Sequence, residues 1–130
     1  MDQRHDPRFK IGVELMLESQ FQAAVIQLAR MNQWKVFHPA KMQSRDGTWR
    51  TALQGDKGWP DLVLAHKDRG LIVAELKSDT GKVSFEQQAW LTHLAPWAEV
   101  HVWRPRDIDF IAERLSEVKT TPVLKLVKDV

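Results

Sequence analysis

Two carboxylates and a lysine lie inside apolar segments that are typical of buried strands. The run "GWPDLVL" carries Asp61, and the run "LIVAELKS" carries Glu75 and Lys77. Side chains alternate across a strand with a period of two, so Glu75 and Lys77 point to the same face, roughly 7 Å apart. Buried charges are costly unless a partner or an ion compensates them. These three residues are therefore the first candidates for chemistry.

The connection between the two runs predicts how the carboxylates meet. The stretch "KDRG" (67–70) has the composition of a hairpin turn, which would place Asp61 beside Glu75. Two adjacent carboxylates repel each other. A hard divalent cation such as Mg²⁺ or Mn²⁺ would relieve that repulsion, with the Leu76 carbonyl and water as further ligands. Lys77 would orient a water or stabilise charge that grows on a phosphate.

The joint pattern resembles a known family. An isolated E-x-K is also explained by an ion pair at a sheet end, but here it follows a P-D element on the preceding strand. The run "GWPDLVL…LIVAELKS…GKVSFEQQAWL" resembles the PD-(D/E)XK nuclease superfamily, and within it the stand-alone VRR-NUC nucleases of phages and bacteria. Pro60-Asp61 matches the P-D element, and Glu75-Leu76-Lys77 matches the E-x-K element. The resemblance covers roughly residues 14–115.

Two further site residues are implied by this resemblance. The family carries an acidic residue on its first helix, and Glu18 in "LESQFQAAVIQLAR" matches it, although spacing alone does not separate Glu18 from Glu14. In the family a Gln opens the helix after the E-x-K strand, and Gln87 in "SFEQQ" matches it, with Phe85 where Pro is more usual. The spacing from Ser84 to Gln87 is also a capping-box pattern, which explains Gln87 without any catalytic role.

The resemblance implies a metal-dependent DNA endonuclease, which could be a structure-selective junction resolvase, a nicking enzyme or a restriction-like enzyme. The implied catalytic residues are Glu18, Asp61, Glu75, Lys77 and Gln87. The implied ligands of Mg²⁺ or Mn²⁺ are Glu18, Asp61, Glu75 and the Leu76 carbonyl. The partner would be branched or duplex DNA, and cutting two symmetric strands favours a homodimer. The alternatives are a non-catalytic DNA-binding or assembly module with the nuclease fold, and a hydrolase of small phosphorylated molecules.

A basic segment between residues 35 and 57 predicts a DNA-binding surface. It contains five Lys or Arg against two Asp, and basic side chains of this kind neutralise backbone phosphates. The predicted DNA contacts are His38, Lys41, Arg45, Trp49, Arg50, Lys57 and Lys82. Among them, Trp49 is suited to stack on a base. His38 is equally explained as an anchor of the loop that follows it.

The elements that must position these residues alternate between helix and strand. The spacing of Phe21, Val25 and Leu28 predicts a first helix over 11–31. Strands are predicted over 34–39, 61–66, 71–76 and 99–105, a loop or hairpin over 40–57, and helices over 84–95 and 106–118, capped by Ser84 and Asp107. The order α-β-β-β-α-β-α predicts an α/β (α+β) fold with a mixed central sheet flanked by helices. The resemblance makes this a restriction-endonuclease-like core.

Length and composition predict one globular domain. The chain has 130 residues, 28% of them charged, and a net charge of +2, which suits a single core in water. It contains no Cys, which excludes disulfides and thiolate metal sites. The polar start and the lack of a long apolar run predict a cytoplasmic protein without membrane contact, in a bacterial or phage-infected cell. The expected parts are a flexible lead (1–10), a nuclease domain (11–118) and a tail (119–130) that forms an extra strand or a dimer arm.

Overall fold

The computed structural model has three helices and six strands, and it describes residues 7–39, 41–43, 45–47, 49–51 and 55–118, with side chains for 18–39, 45–47 and 55–118. The helices are α1 (Pro7–Met31), α2 (Phe85–Leu94) and α3 (Ile108–Ser116), and a 3₁₀ turn (Pro105–Asp107) precedes α3. The strands are β1 (Lys35–Phe37), β2 (Lys41–Gln43), β3 (Trp49–Thr51), β4 (Leu62–His66), β5 (Gly70–Leu76) and β6 (Glu99–Trp103). None of the helices in these ranges is long and apolar enough to cross a membrane.

Four of the strands form one mixed sheet in the order β1-β4-β5-β6. The β1–β4 and β4–β5 pairs are antiparallel, whereas β5 and β6 are parallel and are joined through α2. This confirms the predicted mixed sheet with flanking helices. Strands β2 and β3 form a separate antiparallel hairpin, so the segment 40–57 contains a hairpin rather than a plain loop.

The main core lies between one face of this sheet and the two helices α1 and α3. The buried side chains of this core are Phe21, Val25, Ala29, Trp34, Leu62, Leu64, Ile72, Ala74, Trp103, Ile111 and Leu115. Because strand side chains alternate, Ile72 and Ala74 face this core, while Val73 and Glu75 face the opposite side. Helix α2 packs against β5 and β6, and it contributes Leu91 and the cap that reaches Glu75. Glu75 therefore lies on the face of the sheet opposite the main core.

Two of the predicted local features differ from the structure. Helix α1 begins at Pro7, four residues before its predicted start at residue 11. Proline is favoured in the first helical turn because its φ is fixed and no N–H is needed there. Asp107 is the N-cap residue of α3, as predicted, but its side chain makes no capping hydrogen bond; its Oδ2 accepts a hydrogen bond from the Arg104 N–H instead (2.9 Å). The lead before residue 7 and the predicted strand or dimer arm at 119–130 lie outside the described residues.

A buried ion pair attaches α3 to the start of β6. Arg114 is 6% exposed; its Nε donates to Glu99 Oε2 and its Nη2 donates to Glu99 Oε1, both over 2.9 Å. The same Nη2 donates to the Arg69 carbonyl (2.9 Å), and the guanidinium lies 5.5 Å from the Trp34 ring centroid. Burial alone would raise the pKa of Glu99, but hydrogen bonds from Arg114 and His101 outweigh it and lower that pKa to about 2.

Candidate active site

The β4–β5 hairpin brings Asp61 and Glu75 together, as its turn predicts. The antiparallel ladder ends at the pair Leu62–Ala74, so Asp61 and Glu75 are the next opposing positions. Asp61 Oδ2 accepts a hydrogen bond from the backbone N–H of Leu76 (2.8 Å). The Leu76 N–H is therefore bound by the Asp61 side chain rather than by a backbone carbonyl of the neighbouring strand. This hydrogen bond holds the Asp61 carboxylate at the open end of the hairpin.

Both carboxylates line a cavity of about 570 Å³ at this end of the sheet. Its walls come from α1, from the segments that flank β1, β4 and β5, and from the first turn of α2. The predicted residues that line it are Glu18, His38, Asp61, Glu75, Leu76, Lys77 and Gln87. A second hollow of about 380 Å³ lies between α2 and β6, and none of the described residues that line it is an acid, a lysine or an arginine. The charged chemistry is therefore concentrated in the larger cavity.

Glu75 is the most deeply buried acidic group of the site, with 1% of its surface exposed. Its Oε1 accepts a hydrogen bond from Gln87 Nε2 (2.9 Å), while Oε2 is buried with no hydrogen-bond partner among the described residues. Burial is the largest cause that raises the pKa of Glu75 to about 9; the neighbouring Asp61 carboxyl raises it further, and the Lys77 charge opposes them. At neutral pH the pair therefore retains a proton unless a cation replaces it.

Gln87 forms the predicted capping box and contacts Glu75 at the same time. Its Oε1 accepts from the Ser84 N–H (2.9 Å), and Ser84 Oγ accepts from the Gln87 N–H (3.1 Å), which completes the capping box. If the Gln87 amide were flipped, its NH₂ group would face the Ser84 N–H, and both groups are donors. The capping box therefore fixes the orientation of the Gln87 amide. Nε2 is then directed at Glu75. The residue that completes the capping box of α2 therefore also orients the Glu75 carboxylate.

A substitution separates the two roles of Gln87. Gln87→Glu keeps the capping-box oxygen but turns the donor that faces Glu75 into an acceptor. We expect the free energy of unfolding to fall by about 1–3 kcal/mol at pH 8, and by less at pH 5, where ionisation of the introduced carboxyl favours the unfolded chain less. Ser84→Ala removes only the cap and should cost about 1 kcal/mol at both pH values. Urea titrations measure both; a loss for Gln87→Glu that is equal at pH 5 and pH 8 would contradict the Glu75 contact.

Lys77 lies on the same side of the chain as Glu75, as the period of two predicts, and its half-buried side chain lines the cavity. Its backbone N–H donates to the Trp103 carbonyl (3.0 Å), which prolongs the β5–β6 pairing. The loop that follows is held by Arg104, whose Nη1 donates to the carbonyls of Ser78 (2.6 Å) and Gly81 (2.7 Å). Sequence reasoning misses Arg104 because its partners are backbone atoms, which leave no pattern of residue types.

The loop before Asp61 is anchored on the first turn of α2. Gly58 has a φ of +95°, and a Cβ at this position would lie 2.5 Å from the Glu86 carbonyl carbon. Only glycine permits both the conformation and the close approach. Trp90 Nε1 also donates to the Asp56 carbonyl (3.3 Å). The chain therefore reaches Asp61 along a path fixed by the helix that carries Gln87.

The donor set suits a hard divalent cation. Asp61 Oδ2 and Glu75 Oε1 are occupied by N–H donors, and Glu75 Oε2 is buried without a hydrogen-bond partner among the described residues. Glu75 Oε2, the second carboxylate oxygen of Asp61 and the Leu76 carbonyl are of the type that Mg²⁺ and Mn²⁺ prefer. Within the described residues, no group of three His, Asp or Glu side chains is placed to hold a metal ion.

The predicted helix ligand is only loosely associated with the carboxylate pair. Glu18 lines the same cavity from α1, with an exposed side chain. It does not form a three-residue metal group with Asp61 and Glu75. The side chain of Glu14, its alternative, lies outside the described residues. The role of Glu18 as a ligand therefore stays a prediction.

His38 lines the cavity with both ring nitrogens on protein partners. Its Nδ1 lies 3.1 Å from the Asp61 carbonyl oxygen, and its Nε2 lies 2.6 Å from Gln22 Nε2. This arrangement favours the anchoring interpretation of His38 over the predicted phosphate contact. Gln22, one turn after Glu18 on α1, was not found by sequence reasoning, because a lone Gln on a helix carries no signal of its own.

The other predicted DNA contacts divide into two groups. The side chains of Arg45, Lys57 and Lys82 are exposed, as a phosphate contact requires. Those of Lys41, Trp49 and Arg50 lie outside the described residues, although the backbone of each belongs to the β2–β3 hairpin. That hairpin follows Pro39, which lines the cavity. The basic segment therefore leaves the sheet from the rim of the candidate site.

Fold and site together define an α+β protein with a mixed four-stranded sheet and three helices in its described part. A cavity at one end of the sheet holds an adjacent Asp–Glu pair beside a lysine. A comparison of the chain with protein-family models, with curated proteins and with solved structures finds no match.

Proposed function

We propose that the chain is a metal-dependent DNA endonuclease of the PD-(D/E)XK type, with a restriction-endonuclease-like core similar to the VRR-NUC nucleases. One observation carries the proposal. Asp61 and Glu75 oppose each other in one cavity, each has one oxygen held by an N–H donor, and Glu75 Oε2 is buried without a hydrogen-bond partner among the described residues. A divalent cation would replace the proton that such a pair otherwise retains, and Lys77 in the same cavity provides a positive charge for a phosphate.

The carboxylates are fixed in advance of any ligand. Asp61 Oδ1, Glu75 Oε2 and the Leu76 carbonyl would hold Mg²⁺ or Mn²⁺, with Glu18 as a further ligand from α1. When bound, the ion supplies Lewis acidity, which acidifies water and offsets negative charge on the scissile phosphate. The Leu76 N–H and the Gln87 amide keep the two carboxylates in place, so little reorganisation accompanies the reaction.

Lys77 and Gln87 supply the hydrogen-bond donors. Lys77 is the only lysine or arginine among the described lining residues, so its ammonium would donate to the phosphate or position the attacking water. The Gln87 amide uses its oxygen for Ser84 and one hydrogen for Glu75. Its second hydrogen remains for water or phosphate, because a primary amide has two donors.

The proposed substrate is branched or duplex DNA. Exposed Arg45, Lys57 and Lys82, together with the β2–β3 hairpin, would contact the phosphate backbone, so affinity should fall steeply with salt. We also propose a homodimer, because symmetric cutting of two strands favours two-fold symmetry. A cytoplasmic location belongs to the same proposal.

The proposal is tested by cleavage of four-way junctions, flaps, linear duplexes and single strands with Mg²⁺, Mn²⁺ or EDTA. We expect metal-dependent cleavage that falls at least about a thousand-fold in Asp61→Ala and in Lys77→Ala. Asp68→Ala and Lys67→Ala are the matched controls, because both side chains are exposed in the turn at the other end of the same hairpin. They should retain the wild-type rate. Normal cleavage by Asp61→Ala or Lys77→Ala would show that the site is wrongly assigned.

Two other outcomes identify the alternative functions. DNA binding without cleavage, and with no divalent-ion binding in calorimetry, would indicate a non-catalytic DNA-binding module. Hydrolysis of a small phosphodiester such as bis-p-nitrophenyl phosphate, without activity on any DNA of the panel, would indicate a hydrolase of small phosphorylated molecules. Each of these results would replace the endonuclease proposal.

A further inference from the structure

His38 immediately follows β1 and joins three elements of the fold at the cavity. Its Nδ1 is 3.1 Å from the Asp61 carbonyl oxygen, and its Nε2 is 2.6 Å from Nε2 of Gln22 on α1. A carbonyl oxygen can only accept a hydrogen bond, so the ring proton is on Nδ1. Nε2 of the neutral ring then accepts from the Gln22 amide. The chemistry of the partners thus assigns the tautomer.

Asp61 is consequently held from both neighbouring strands. The β1–β4 ladder ends at the pair Phe37–Val63, and the His38 ring continues this pairing by binding the Asp61 carbonyl. On the other side, the Leu76 N–H donates to Asp61 Oδ2. Asp61 lies outside the ladder of β4, yet its backbone and its carboxylate each have a partner.

The hydrogen bonds from His38 and Leu76 to Asp61 counteract the repulsion between Asp61 and Glu75. Asp61 adjoins Glu75, and the two carboxyl groups repel each other when both are ionised. A divalent cation binds the two carboxylates in their ionised form, in which they repel each other most strongly. The site must therefore keep the Asp61 carboxylate in place against the Glu75 charge. A contact that restrains the Asp61 backbone therefore favours metal binding although it touches neither metal nor substrate.

We propose that His38, supported by Gln22, is a positioning residue that holds the Asp61 carboxylate in its metal-binding place. This inference rests on the proposed function and replaces the phosphate contact predicted for His38. Gln22 fixes the ring from α1, the helix that also carries Glu18. One imidazole therefore connects α1, β1 and the residue that precedes β4.

Calorimetric titration of the metal-free chain with Mn²⁺ tests this role without relying on activity. His38→Ala should weaken Mn²⁺ binding by about 10- to 100-fold, the usual effect of losing a residue that orients a ligand, and lower kcat with little change in the KM for DNA. His38→Asn, whose amide can donate to the same carbonyl, should recover most of the affinity. His93→Ala is the control, because exposed His93 binds only a carbonyl of its own helix (2.8 Å).

A phosphate-binding role for His38 gives the opposite result. His38→Ala would then raise KM and reduce the salt dependence while Mn²⁺ affinity stays unchanged; with an active wild type, that result overturns this inference alone. A wild type that neither binds Mn²⁺ nor cleaves DNA overturns the proposed function as well. Long-range ¹H–¹⁵N correlation spectra of the wild-type imidazoles give a readout that needs no variant: we expect His38 to be protonated at Nδ1, and a proton at Nε2 alone would refute the contact to Asp61.

Discussion

Replacing Glu75 by Gln is expected to make the chain more stable and inactive. A Gln side chain retains the shape of the protonated carboxyl, can accept from Gln87 and can donate to Asp61, so no buried polar atom is left without a partner. It cannot supply the negative charge that a divalent cation requires. We expect cleavage to fall at least about a thousand-fold while the free energy of unfolding at pH 8 rises by about 2–4 kcal/mol.

The sign of the stability change follows from the pKa of Glu75. Burial is the main cause that raises this pKa from its ordinary 4.5 to about 9, and the neighbouring Asp61 adds to the shift. Below pH 4.5 the carboxyl is protonated in both the folded and the unfolded chain, so the stability it contributes is fully present. Above pH 4.5 the unfolded chain loses the proton first, and the contribution is lost progressively as the pH rises towards 9.

Urea unfolding in EDTA at pH 4.5, 6 and 8 measures this effect. The variant and the wild type should have nearly equal stability at pH 4.5, and their curves should separate as the pH rises. Adding Mn²⁺ should stabilise the wild type and leave Glu75→Gln unchanged, since only the wild type binds the ion. Glu113→Gln removes an exposed carboxyl on α3 and should behave as the wild type throughout. A constant difference across the pH range would contradict the raised pKa of Glu75.

Replacing Arg114 by Ala is expected to destabilise the fold by about 3–5 kcal/mol at pH 7, because it removes one partner of a buried ion pair. The substitution deletes the hydrogen bonds to both Glu99 oxygens and to the Arg69 carbonyl. It also removes the cation that lies over the Trp34 ring. Glu99 would keep His101 as its neighbour, at 2.7 Å, but lose its strongest partner.

The pH dependence of this pair runs opposite to that of Glu75. Hydrogen bonds from Arg114 and His101 outweigh the cost of burial and lower the pKa of Glu99 from 4.5 to about 2. The stability contributed by this ionised carboxylate is present above pH 4.5 and is lost as the pH falls towards 2. In Arg114→Ala most of this acid-dependent loss should be absent, so the stability difference between wild type and variant should shrink towards pH 2, where the contacts to the Arg69 carbonyl and the Trp34 ring remain.

Urea unfolding of Arg114→Ala at pH 7 and at pH 3 measures both effects. Arg106→Ala is the matched control, since its side chain is exposed on the 3₁₀ turn before α3. The double variant Arg114→Met, Glu99→Gln should recover part of the lost stability, because it no longer buries an unpaired charge. A loss below about 1 kcal/mol for Arg114→Ala would show that solvent, rather than Arg114, satisfies Glu99.

Two acids of the sheet, the half-buried Glu99 and the buried Glu75, connect the fold to the proposed chemistry. Glu99 has a strong cation partner and stabilises the attachment of α3 to β6. Trp103 of the same strand accepts the Lys77 N–H. Glu75 has a donor on one oxygen only and costs stability at neutral pH. Active sites commonly retain such unfavourable groups because the ligand, rather than the protein, completes them. The contrast between these two carboxyls supports a ligand role for Glu75.

The elements that follow from local patterns are predicted well. Alternation within "LIVAELKS" predicts the common side of Glu75 and Lys77, and the turn at 67–70 predicts the hairpin that opposes Asp61 to Glu75. The Ser84–Gln87 spacing predicts the start of α2. Each of these depends on neighbouring residues, whose geometry is set by backbone sterics and hydrogen bonding. The error at Pro7 concerns a helix start, and the first turn of a helix can begin at several residues. The side chain of Asp107 bonds the Arg104 N–H rather than capping α3.

The sequence by itself therefore determined which residues carry charge at the end of the hairpin, and the mixed type of the sheet. Only the tertiary structure decided how strongly those charges are perturbed and what holds them. The pKa of Glu75 is raised mainly by burial, to which α2 contributes. The Arg114–Glu99 ion pair and the His38–Gln22 contact each join residues at least fifteen positions apart. Such partners are selected by the packing of whole elements, so no local pattern of residue types encodes them.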